Sequence, residues 1–192
     1  IYARFEYPRA QRILQRAIDE ARAAGLIDAP LFGSPFRCNI RRVRGQGAYI
    51  CGEETSLLRS LEGLPALVST RPPFPAQKGL WGCPTAVNNV ETLHHLPWII
   101  EHGGEAFAKL GYAKSRGTKA VSLNTRVKRP GLYEVELGMT LRELIFDLAG
   151  GMAEGQEFKA VQVGGPLGGI LPESKLDTRL DFEAMAAAKG IL

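Results

Sequence analysis

The spacing of apolar residues divides the first part of the chain into elements separated by glycine-rich loops. IYARFEYP is typical of the end of a strand that leads into a helix, and Pro8 suits the first helical turn. Apolar residues then recur every three or four positions until Gly25, which predicts a helix. FRCNIRRV, at 36–43, predicts a strand. The loop RGQGAY and a helix from about Glu53 to Leu61 follow. A strand, a glycine-rich loop and a helix in this order form the arrangement in which α/β proteins bind ligands.

A long irregular stretch comes next. From Leu64 to Pro84 the sequence has no helical or strand period and contains RPPFPAQKGLWGCP, which is rich in proline and glycine. Segments of this kind, when ordered, are often functional loops. Beyond it, Asn88 or Asn89 is placed to cap a helix that Pro97 kinks or restarts, and Gly103-Gly104 marks the end of that helix.

The pattern changes again near Gly117, where short alternating runs begin. KAVSLNT and GLYEVELG predict strands, and Thr140 is placed to cap an amphipathic helix that Gly150-Gly151 closes. FKAVQVGG predicts a further strand, and a last short helix covers about Asp181 to Ala188. Two strands, a helix and a further strand are the order of a small β-grasp module. We therefore predict a domain boundary within GYAKSRG.

Composition and charge are those of an ordinary globular protein. The length of 192 residues is enough for one large domain or two small ones. Of these residues 45% are hydrophobic and 23% are charged, and the formal net charge is +4. No apolar run reaches the length of a membrane span, and Arg4, Glu6 and Arg9 interrupt any early signal sequence. We expect a soluble, cytoplasmic protein without direct membrane insertion. The basic run from Arg37 to Arg44 lacks interleaved aromatic residues, so we expect no nucleic-acid partner.

The cysteines and histidines do not have the spacing of a metal site. The cysteines are far apart and form no C-x-x-C pair, so we expect neither a disulfide framework nor a metal or iron–sulfur site within this chain. The residues concerned are Cys38, Cys51, Cys83, His94, His95 and His102.

Three features are candidates for binding chemistry, each with a structural alternative. Glu53 and Glu54 either line a pocket or complement the helix macrodipole, worth about 0.3–1 kcal/mol, and the residues alone favour the latter. Phe74, within PPFP, either stacks on a flat ligand or anchors the loop in the core. Asn88 and Asn89, within VNNVET, either cap a helix or offer amides to a flavin edge or a phosphate.

In combination these segments are specific. GAYICGEETSLLRSLEG and RPPFPAQKGLWGCPTAVNNVETL closely resemble the flavoprotein subunit that binds NADH and FMN in respiratory NADH dehydrogenase (complex I). Related subunits serve NAD-reducing hydrogenases and NAD-linked formate dehydrogenases. The resemblance spans the whole chain, and RPGLYEVELGMTLRELI resembles the family's soluble-ligand-binding β-grasp (SLBB) domain. It implies a partial Rossmann-like FMN/NADH-binding α/β domain over 1–112 and a ubiquitin-like β-grasp domain over 117–192.

The resemblance also implies an activity and a set of NAD(H) and FMN contacts. Family members oxidise NADH by hydride transfer to FMN and pass electrons singly to an iron–sulfur cluster. By resemblance, Tyr49 and Gly52 lie against the flavin and Glu53 sits beside it. Glu54 would reach the NADH ribose, where a carboxylate repels a 2′-phosphate and favours NAD over NADP. Phe74 would stack on the adenine.

A second segment would hold the flavin ring and its ribityl phosphate. The residues implied there are Val87, Asn88, Asn89 and Thr92. We assign no catalytic side chain, because the hydride chemistry belongs to the cofactors and the protein positions their rings.

Further parts of the family pattern are expected outside this sequence. The glycine-rich FMN loop is expected before Ile1, and a cysteine-rich domain that ligates a 4Fe–4S cluster is expected after Leu192. We therefore expect the middle portion of a longer flavoprotein, inactive alone. Expected partners are NADH, a thioredoxin-like iron–sulfur subunit and other subunits of the oxidoreductase complex. LPALVST, at 64–70, lacks the basic residues usual in the family and leaves Arg71.

Alternative functions stay open at this point. The parent complex could be respiratory, a formate dehydrogenase or a hydrogenase, since all three share these motifs. In a different class of function, the β-grasp domain would be a non-catalytic interaction module and the α/β part its scaffold.

Overall fold

A parallel pair of short strands joined by a helix begins the fold. In the computed structural model, which describes residues 1–192, β1 is Tyr2–Ala3, α1 is Pro8–Ala23 and β2 is Val43–Arg44. The two strands pair in parallel, so α1 is the crossover of a βαβ unit. The predicted strand end that leads into a helix at Pro8 is confirmed.

The strand predicted over residues 36–43 is wrong for most of its length. Only Val43 pairs with β1, and Arg37 makes an isolated bridge to Pro30. A parallel ladder ends where its partner strand ends, and β1 supplies just two residues. Residues 38–42 therefore have no ladder to join.

The helix after the glycine loop forms where the sequence places it. α2 is Glu54–Leu61, and a 3₁₀ turn at Tyr49–Gly52 leads into it. Cys51 is buried, and so is part of the inner face of α2. The following segment, residues 64–84, is irregular as predicted, apart from a 3₁₀ turn at Leu80–Gly82.

Two helices follow the irregular segment. α3 is Val90–His102, and it continues through Pro97 rather than restarting there. Gly103 ends it with a backbone φ of 87°, a conformation that glycine adopts without steric cost. α4, Gly104–Lys109, was not predicted from the apolar pattern.

The rest of the chain contains three antiparallel strand pairs and a last helix. The three strands predicted beyond Gly117 and the predicted last helix are confirmed; this helix, α5, is Phe182–Ala187, and Asp181 caps it. The pairs are β3 (Gly111–Tyr112) with β4 (Ser115–Arg116), β5 (Thr118–Leu123) with β6 (Gly131–Glu136), and β7 (Ala160–Val163) with β8 (Gly169–Pro172).

The helix predicted after Thr140 forms, but with wider turns. Thr140 and Glu143 make reciprocal side-chain to backbone hydrogen bonds of 2.7 and 3.2 Å, the geometry of a capping box. From Glu143 to Leu148 the segment is a π-helix, which is rare and seldom longer than one turn. It buries Leu144 and Ile145 in a core whose members are Val127, Val135, Leu141, Leu144, Ile145, Ala149, Leu171, Leu176, Leu180 and Met185.

The chain divides into two compact units, Ile1–Asn88 and Asn89–Leu192. This division differs from the predicted boundary between residues 112 and 117, because the second unit includes α3 and α4. A compact unit need not coincide with a family domain, so the domain limits remain a prediction. None of the helices combines the length and apolar character needed to span a membrane.

The core of the second unit generates a stability prediction. We expect Leu144→Ala to lower the free energy of unfolding by about 2–5 kcal/mol, because its side chain is 1% exposed and the lost volume leaves a cavity. Urea unfolding followed by circular dichroism measures the change. Leu132→Ala, at a position that is 75% exposed, is the matched control and should change stability by less than about 0.5 kcal/mol. Equal effects of the two substitutions would contradict this account of the core.

Candidate functional site

The side chain of Glu53 forms the start of α2. Its Oε2 atom accepts hydrogen bonds from the backbone N–H of Ser56 at 2.9 Å and from the Thr55 hydroxyl at 2.5 Å. This is the N-cap position, where a side-chain oxygen satisfies a backbone donor that the helix leaves unpaired. Glu53 therefore has a structural role at this helix start, but it acts as a hydrogen-bonded cap, which the predicted macrodipole explanation did not include.

Arg71 connects both carboxylates. Its Nη2 donates to Oε1 of Glu53, and its Nη1 lies 3.1 Å from Oε1 of Glu54. The side chains are between one-fifth and two-fifths exposed, so a ligand can still reach all three. We call these three residues the carboxylate clamp; formally, two negative charges and one positive charge leave it with a net charge of −1.

The hydrogen bonds of the clamp determine the ionisation of Glu53. Burial acts to raise the pKa of Glu53, but hydrogen bonds from Thr55, Ser56 and Arg71 outweigh it and lower the pKa from 4.5 to about 2. Glu53 is therefore ionised at every physiological pH. A permanently charged acceptor suits the recognition of hydroxyl and N–H groups on a ligand.

One face of α2 holds the irregular segment in place. The Thr55 hydroxyl accepts from the backbone N–H of Ser69 at 2.9 Å, and Nε of Arg59 donates to a loop carbonyl at 3.0 Å. Glu62 accepts from the backbone N–H of Trp81 at 2.7 Å. Glu62 is the C-cap residue of α2, and positions 55, 59 and 62 are spaced i, i+4 and i+7, so they lie on one side of the helix. The segment is thus an anchored loop.

A cavity lies between α2 and this loop. Its volume is ≈ 460 Å³, which is within the range of small-molecule sites. Thr55 and Glu62 line it from the helix, and Ser69, Pro73 and Lys78 line it from the loop. The clamp residue Arg71 lies within the same loop. The first unit therefore provides both a cavity and a charged group beside it.

Tyr49 and Gly52 lie in the turn that precedes the clamp. The Tyr49 ring is 61% exposed, and the Arg4 guanidinium lies 5.5 Å from its centre. Gly52 does not have a positive φ, and a Cβ atom built there would have no protein atom within 4 Å. The fold therefore does not require glycine at 52. Bare backbone there leaves space for a flat group to approach the peptide closely.

Phe74 projects from the loop. Its ring is 51% exposed, so the alternative that it anchors the loop in the core is wrong. Pro75 is the buried residue of this turn, and its carbonyl accepts from the Thr85 N–H at 2.9 Å. The backbone of Phe74 is held by a hydrogen bond of 2.8 Å from the Gln77 N–H to its carbonyl. An exposed ring on a fixed backbone is available to stack on a ligand.

The remaining predicted contacts belong to the segment around the end of the first unit. Val87 is half-buried and Asn88 is exposed. Asn89, the first residue of the second unit, accepts from the Glu91 N–H at 2.9 Å and caps α3, which confirms the capping explanation for this residue. Thr92 is exposed on the first turn of α3. The structure thus joins Tyr49, Gly52, Glu53 and Glu54 in one continuous segment, whereas Asn89 and Thr92 belong to the other unit.

Three residues of this region were not singled out from the sequence. Arg71 was noted only as the one basic residue left in its segment, yet it bonds both carboxylates. Thr55 connects α2 to the loop. Trp81 is 73% exposed with a backbone φ of 50°, which is uncommon for a bulky residue. A search for the counter-charge of a glutamate pair would have found Arg71; no sequence signal marks the other two.

The cysteines are dispersed. Cys51 is buried, Cys38 is half-buried and Cys83 is exposed, and all three are free thiols. The structure contains no group of three or more His, Cys, Asp or Glu side chains arranged to hold a metal ion.

Comparison with known proteins identifies two families in the chain. The family described as the Nuo51 FMN-binding domain matches residues 1–98, and the SLBB domain matches residues 126–171. The chain is 49% identical over its whole length to the NADP-reducing hydrogenase subunit HndC of Solidesulfovibrio fructosivorans, covering 39% of that relative. It is 46% identical over 98% of its length to an NADH-quinone oxidoreductase subunit of Salmonella typhimurium, covering 42% of it.

A solved structure shares the fold. The crystal structure of an NAD+-reducing [NiFe]-hydrogenase in the H2-reduced state aligns with a TM-score of 0.82 and 36% identity, covering 96% of this chain and 30% of that one. The chain therefore spans less than half the length of the relatives that it matches. The predicted resemblance, and the predicted combination of an FMN-binding domain with an SLBB domain, are confirmed.

The low pKa of Glu53 generates a prediction about acid stability. The ionised carboxylate stabilises the fold above the unfolded pKa near 4.5, and this contribution is lost as the pH falls toward the folded pKa of about 2. We expect Glu53→Gln to lower stability at pH 7 by on the order of 1 kcal/mol, because it removes a charged helix cap. The difference between wild type and variant should shrink between pH 4.5 and pH 2.

Urea unfolding measured at a series of pH values tests this prediction. Glu20→Gln, at an exposed position on α1, is the control and should give no comparable pH-dependent difference. A wild-type to Glu53→Gln difference that stays constant down to pH 2 would show that the clamp does not lower the pKa of Glu53.

Proposed function

Because the chain belongs to the Nuo51 FMN-binding family, we propose that its parent protein is an FMN-dependent NADH dehydrogenase subunit. In this proposal the parent protein oxidises NADH, a bound FMN would supply the hydride-accepting chemistry, and an iron–sulfur cluster would carry the electrons away singly. The observation that carries the proposal is the carboxylate clamp beside the bare backbone of Gly52. The redox chemistry is supplied by the bound flavin and nicotinamide, and this chain positions them.

The residues of the first unit have separate roles in this proposal. Tyr49 and Gly52 contact the flavin, Gly52 by close approach of its peptide. Glu53 sits beside the flavin as a fixed anion held by Thr55 and Arg71. Glu54 accepts from the ribose hydroxyls of NADH, and the exposed ring of Phe74 stacks on the adenine.

The segment from Val87 to Thr92 supplies polar contacts to the flavin. Val87 gives apolar contact, and the amides of Asn88 and Asn89 donate to the ring edge or the ribityl phosphate, with the Thr92 hydroxyl. The cap bond of Asn89 uses its Oδ1 atom only, so its Nδ2 amide remains a donor. This assignment is supported by the exposure of Asn88 and Thr92.

The relatives bear on the parent complex and on the choice of dinucleotide. One is named as an NADP-reducing hydrogenase subunit and another as an NADH-quinone oxidoreductase subunit, so both assemblies remain candidates, together with a formate dehydrogenase. We favour NAD, because the net negative clamp repels the 2′-phosphate of NADP. Proposed partners are a thioredoxin-like iron–sulfur subunit and other subunits of a cytoplasmic complex. The 4Fe–4S cluster of the family is proposed to lie outside this chain.

A glycine substitution tests flavin binding. In the protein at its natural length, we expect Gly52→Ala to weaken FMN binding by about tenfold or more, because the methyl group occupies the space where the ring approaches. Stability should stay within about 0.5 kcal/mol, since nothing in the protein contacts the new Cβ. FMN titration followed by flavin fluorescence gives the affinity, and urea unfolding gives the stability.

The control for this test is Gly104→Ala, which makes the same change at another open position without positive φ. It should leave FMN affinity unchanged. A Gly52→Ala variant that binds FMN as tightly as wild type, or a wild-type protein that binds no FMN at all, would favour the non-catalytic interaction module. Gly52→Ala is a more specific test of FMN binding than Asn89→Ala, because Asn89→Ala also removes the cap of α3.

A charge substitution tests the dinucleotide preference. We expect Glu54→Gln to raise kcat/KM for NADPH relative to NADH by about tenfold, because it removes the charge proposed to face the 2′-phosphate. Steady-state oxidation of the two dinucleotides with ferricyanide measures the ratio. Glu20→Gln, which makes the same change on an exposed face of α1, should not move it. An unchanged ratio in Glu54→Gln would remove Glu54 from the ribose site.

A further inference from the structure

A second cleft in the first unit has a different character from the carboxylate clamp. Its volume is ≈ 490 Å³, and it lies between the first turns of α1 and the strand β2. Four guanidinium groups line it, from Arg12, Arg16, Arg42 and Arg44. The only carboxylate in its lining is Asp19. Neither the flavin nor the dinucleotide contacts proposed above use any of these residues.

We propose that this arginine cleft binds a polyphosphate chain, either inorganic or carried by a nucleotide. The ligand class is a small molecule with two or three linked phosphate groups.

The position of Arg42 is fixed by neutral partners. Its Nη1 donates to Oε1 of Gln11 at 2.7 Å, and its Nε donates to Oε1 of Gln15 at 3.3 Å. Gln11 is 6% exposed and is itself fixed by a hydrogen bond of 2.6 Å from its Nε2 to the carbonyl of Arg4. The guanidinium is thus preorganised by amide oxygens, which orient it without cancelling its charge. Its Nη2 group has no protein partner and remains available to an anion.

Several arginines outside the cleft are paired with carboxylates, which neutralise their charge. Arg4 pairs with Glu6 at 2.7 Å and Arg142 with Asp177 at 2.7 Å. In the cleft, by contrast, Arg12, Arg42 and Arg44 have no carboxylate within ion-pair distance. An arginine that is oriented by glutamine amides rather than by Asp or Glu keeps its charge for a ligand.

The carboxylates near the cleft do not neutralise it. Asp19 already accepts from Arg22 at 3.0 Å and from Gln15 at 3.0 Å. Arg16 pairs with Glu20 at 3.3 Å, but both side chains are more than two-thirds exposed, and exposed pairs of this kind contribute little. The cleft therefore keeps an excess of positive charge.

The arrangement of the arginines favours linked phosphates over a single anion. Arg12 and Arg16 are four residues apart on α1, so they lie one turn apart on one face, opposite Arg42, the residue before β2, and Arg44 of β2. Guanidinium forks match phosphate oxygens in a bidentate fashion. Four of them spread along one cleft suit a ligand with several phosphates. Phe5, which is 49% exposed, lines the same cleft and offers an apolar surface to a nucleoside.

Nucleic acid is the less suitable occupant of the same charges. The cleft is a concave site of limited volume, whereas a strand of nucleic acid needs an extended basic groove with several stacking rings. Phe5 is the single aromatic residue in its lining.

The test is a calorimetric titration of inorganic tripolyphosphate into the protein at its natural length, with FMN and NAD+ present in excess to fill their own sites. We expect one saturable site. Arg42→Gln should weaken it at least tenfold, because it removes the preorganised guanidinium. Arg12→Gln should weaken it severalfold, and since Arg12 is exposed, this second variant keeps the fold if Arg42→Gln does not.

Arg9→Gln is the matched control, because Arg9 is an exposed residue of the same helix outside the cleft. It should leave the affinity unchanged. A parallel titration with ATP distinguishes a nucleotide from an inorganic ligand. Tighter binding of ATP than of tripolyphosphate, with the same dependence on Arg42, assigns a nucleotide. Tighter binding of tripolyphosphate assigns an inorganic ligand. Three results would overturn the proposal: no saturable binding, an equal loss in Arg9→Gln, or displacement of tripolyphosphate by single-stranded DNA that binds more tightly.

Discussion

The ion pairs of Arg71 with Glu53 and Glu54 are the interaction on which the rest of the first unit's site depends. They join the start of α2 to a loop that has no secondary structure of its own beyond one 3₁₀ turn. Without regular backbone bonding, the loop is ordered by side chains, and most of those side chains come from α2. The Phe74 ring lies on this loop, and so do the cavity-lining residues that face α2. Their positions therefore depend on the charges at one end of a helix of eight residues.

The structural and functional explanations of the glutamate pair are compatible. Glu53 caps α2 with Oε2 and bonds Arg71 with Oε1, so its two oxygens serve the fold. A carboxylate has about four lone-pair positions, and part of that capacity remains for a ligand. The same bonds that hold the side chain also lower its pKa to about 2, which keeps it anionic. Rigid placement of a charge is what a binding site needs, and here the helix cap provides it.

The sequence predicted the elements that have a strong local signal. α1, α2 and the strands β5, β6 and β7 follow from periodicity, and the caps at Asn89 and Thr140 follow from residue type. Periodicity could not show that most of the strand predicted over 36–43 does not form, because strand pairing depends on the length of a partner strand that is distant in sequence. The sequence also could not predict the π-helix after Thr140, since the apolar pattern of this segment is the same as that of an α-helix.

The site was partly predictable for a related reason. Tyr49, Gly52 and the two glutamates occupy one short motif, so their proximity follows from the chain itself. Arg71 lies 18 residues beyond Glu53, and only the folded loop brings the two together. The exposure of Phe74 and the open space beside Gly52 are properties of packing. Sequence patterns could list these residues as candidates but could not choose between their structural and binding explanations.

The placement of the loop anchors on α2 limits how this region can change in evolution. Thr55, Arg59 and Glu62 hold the loop because they share one side of the helix. Each added or deleted residue within α2 rotates everything beyond it by about 100°. A single insertion between Thr55 and Glu62 would thus turn Glu62 away from Trp81 while leaving the helix itself intact. Substitutions do not alter this angle, so the restriction applies to the length of α2.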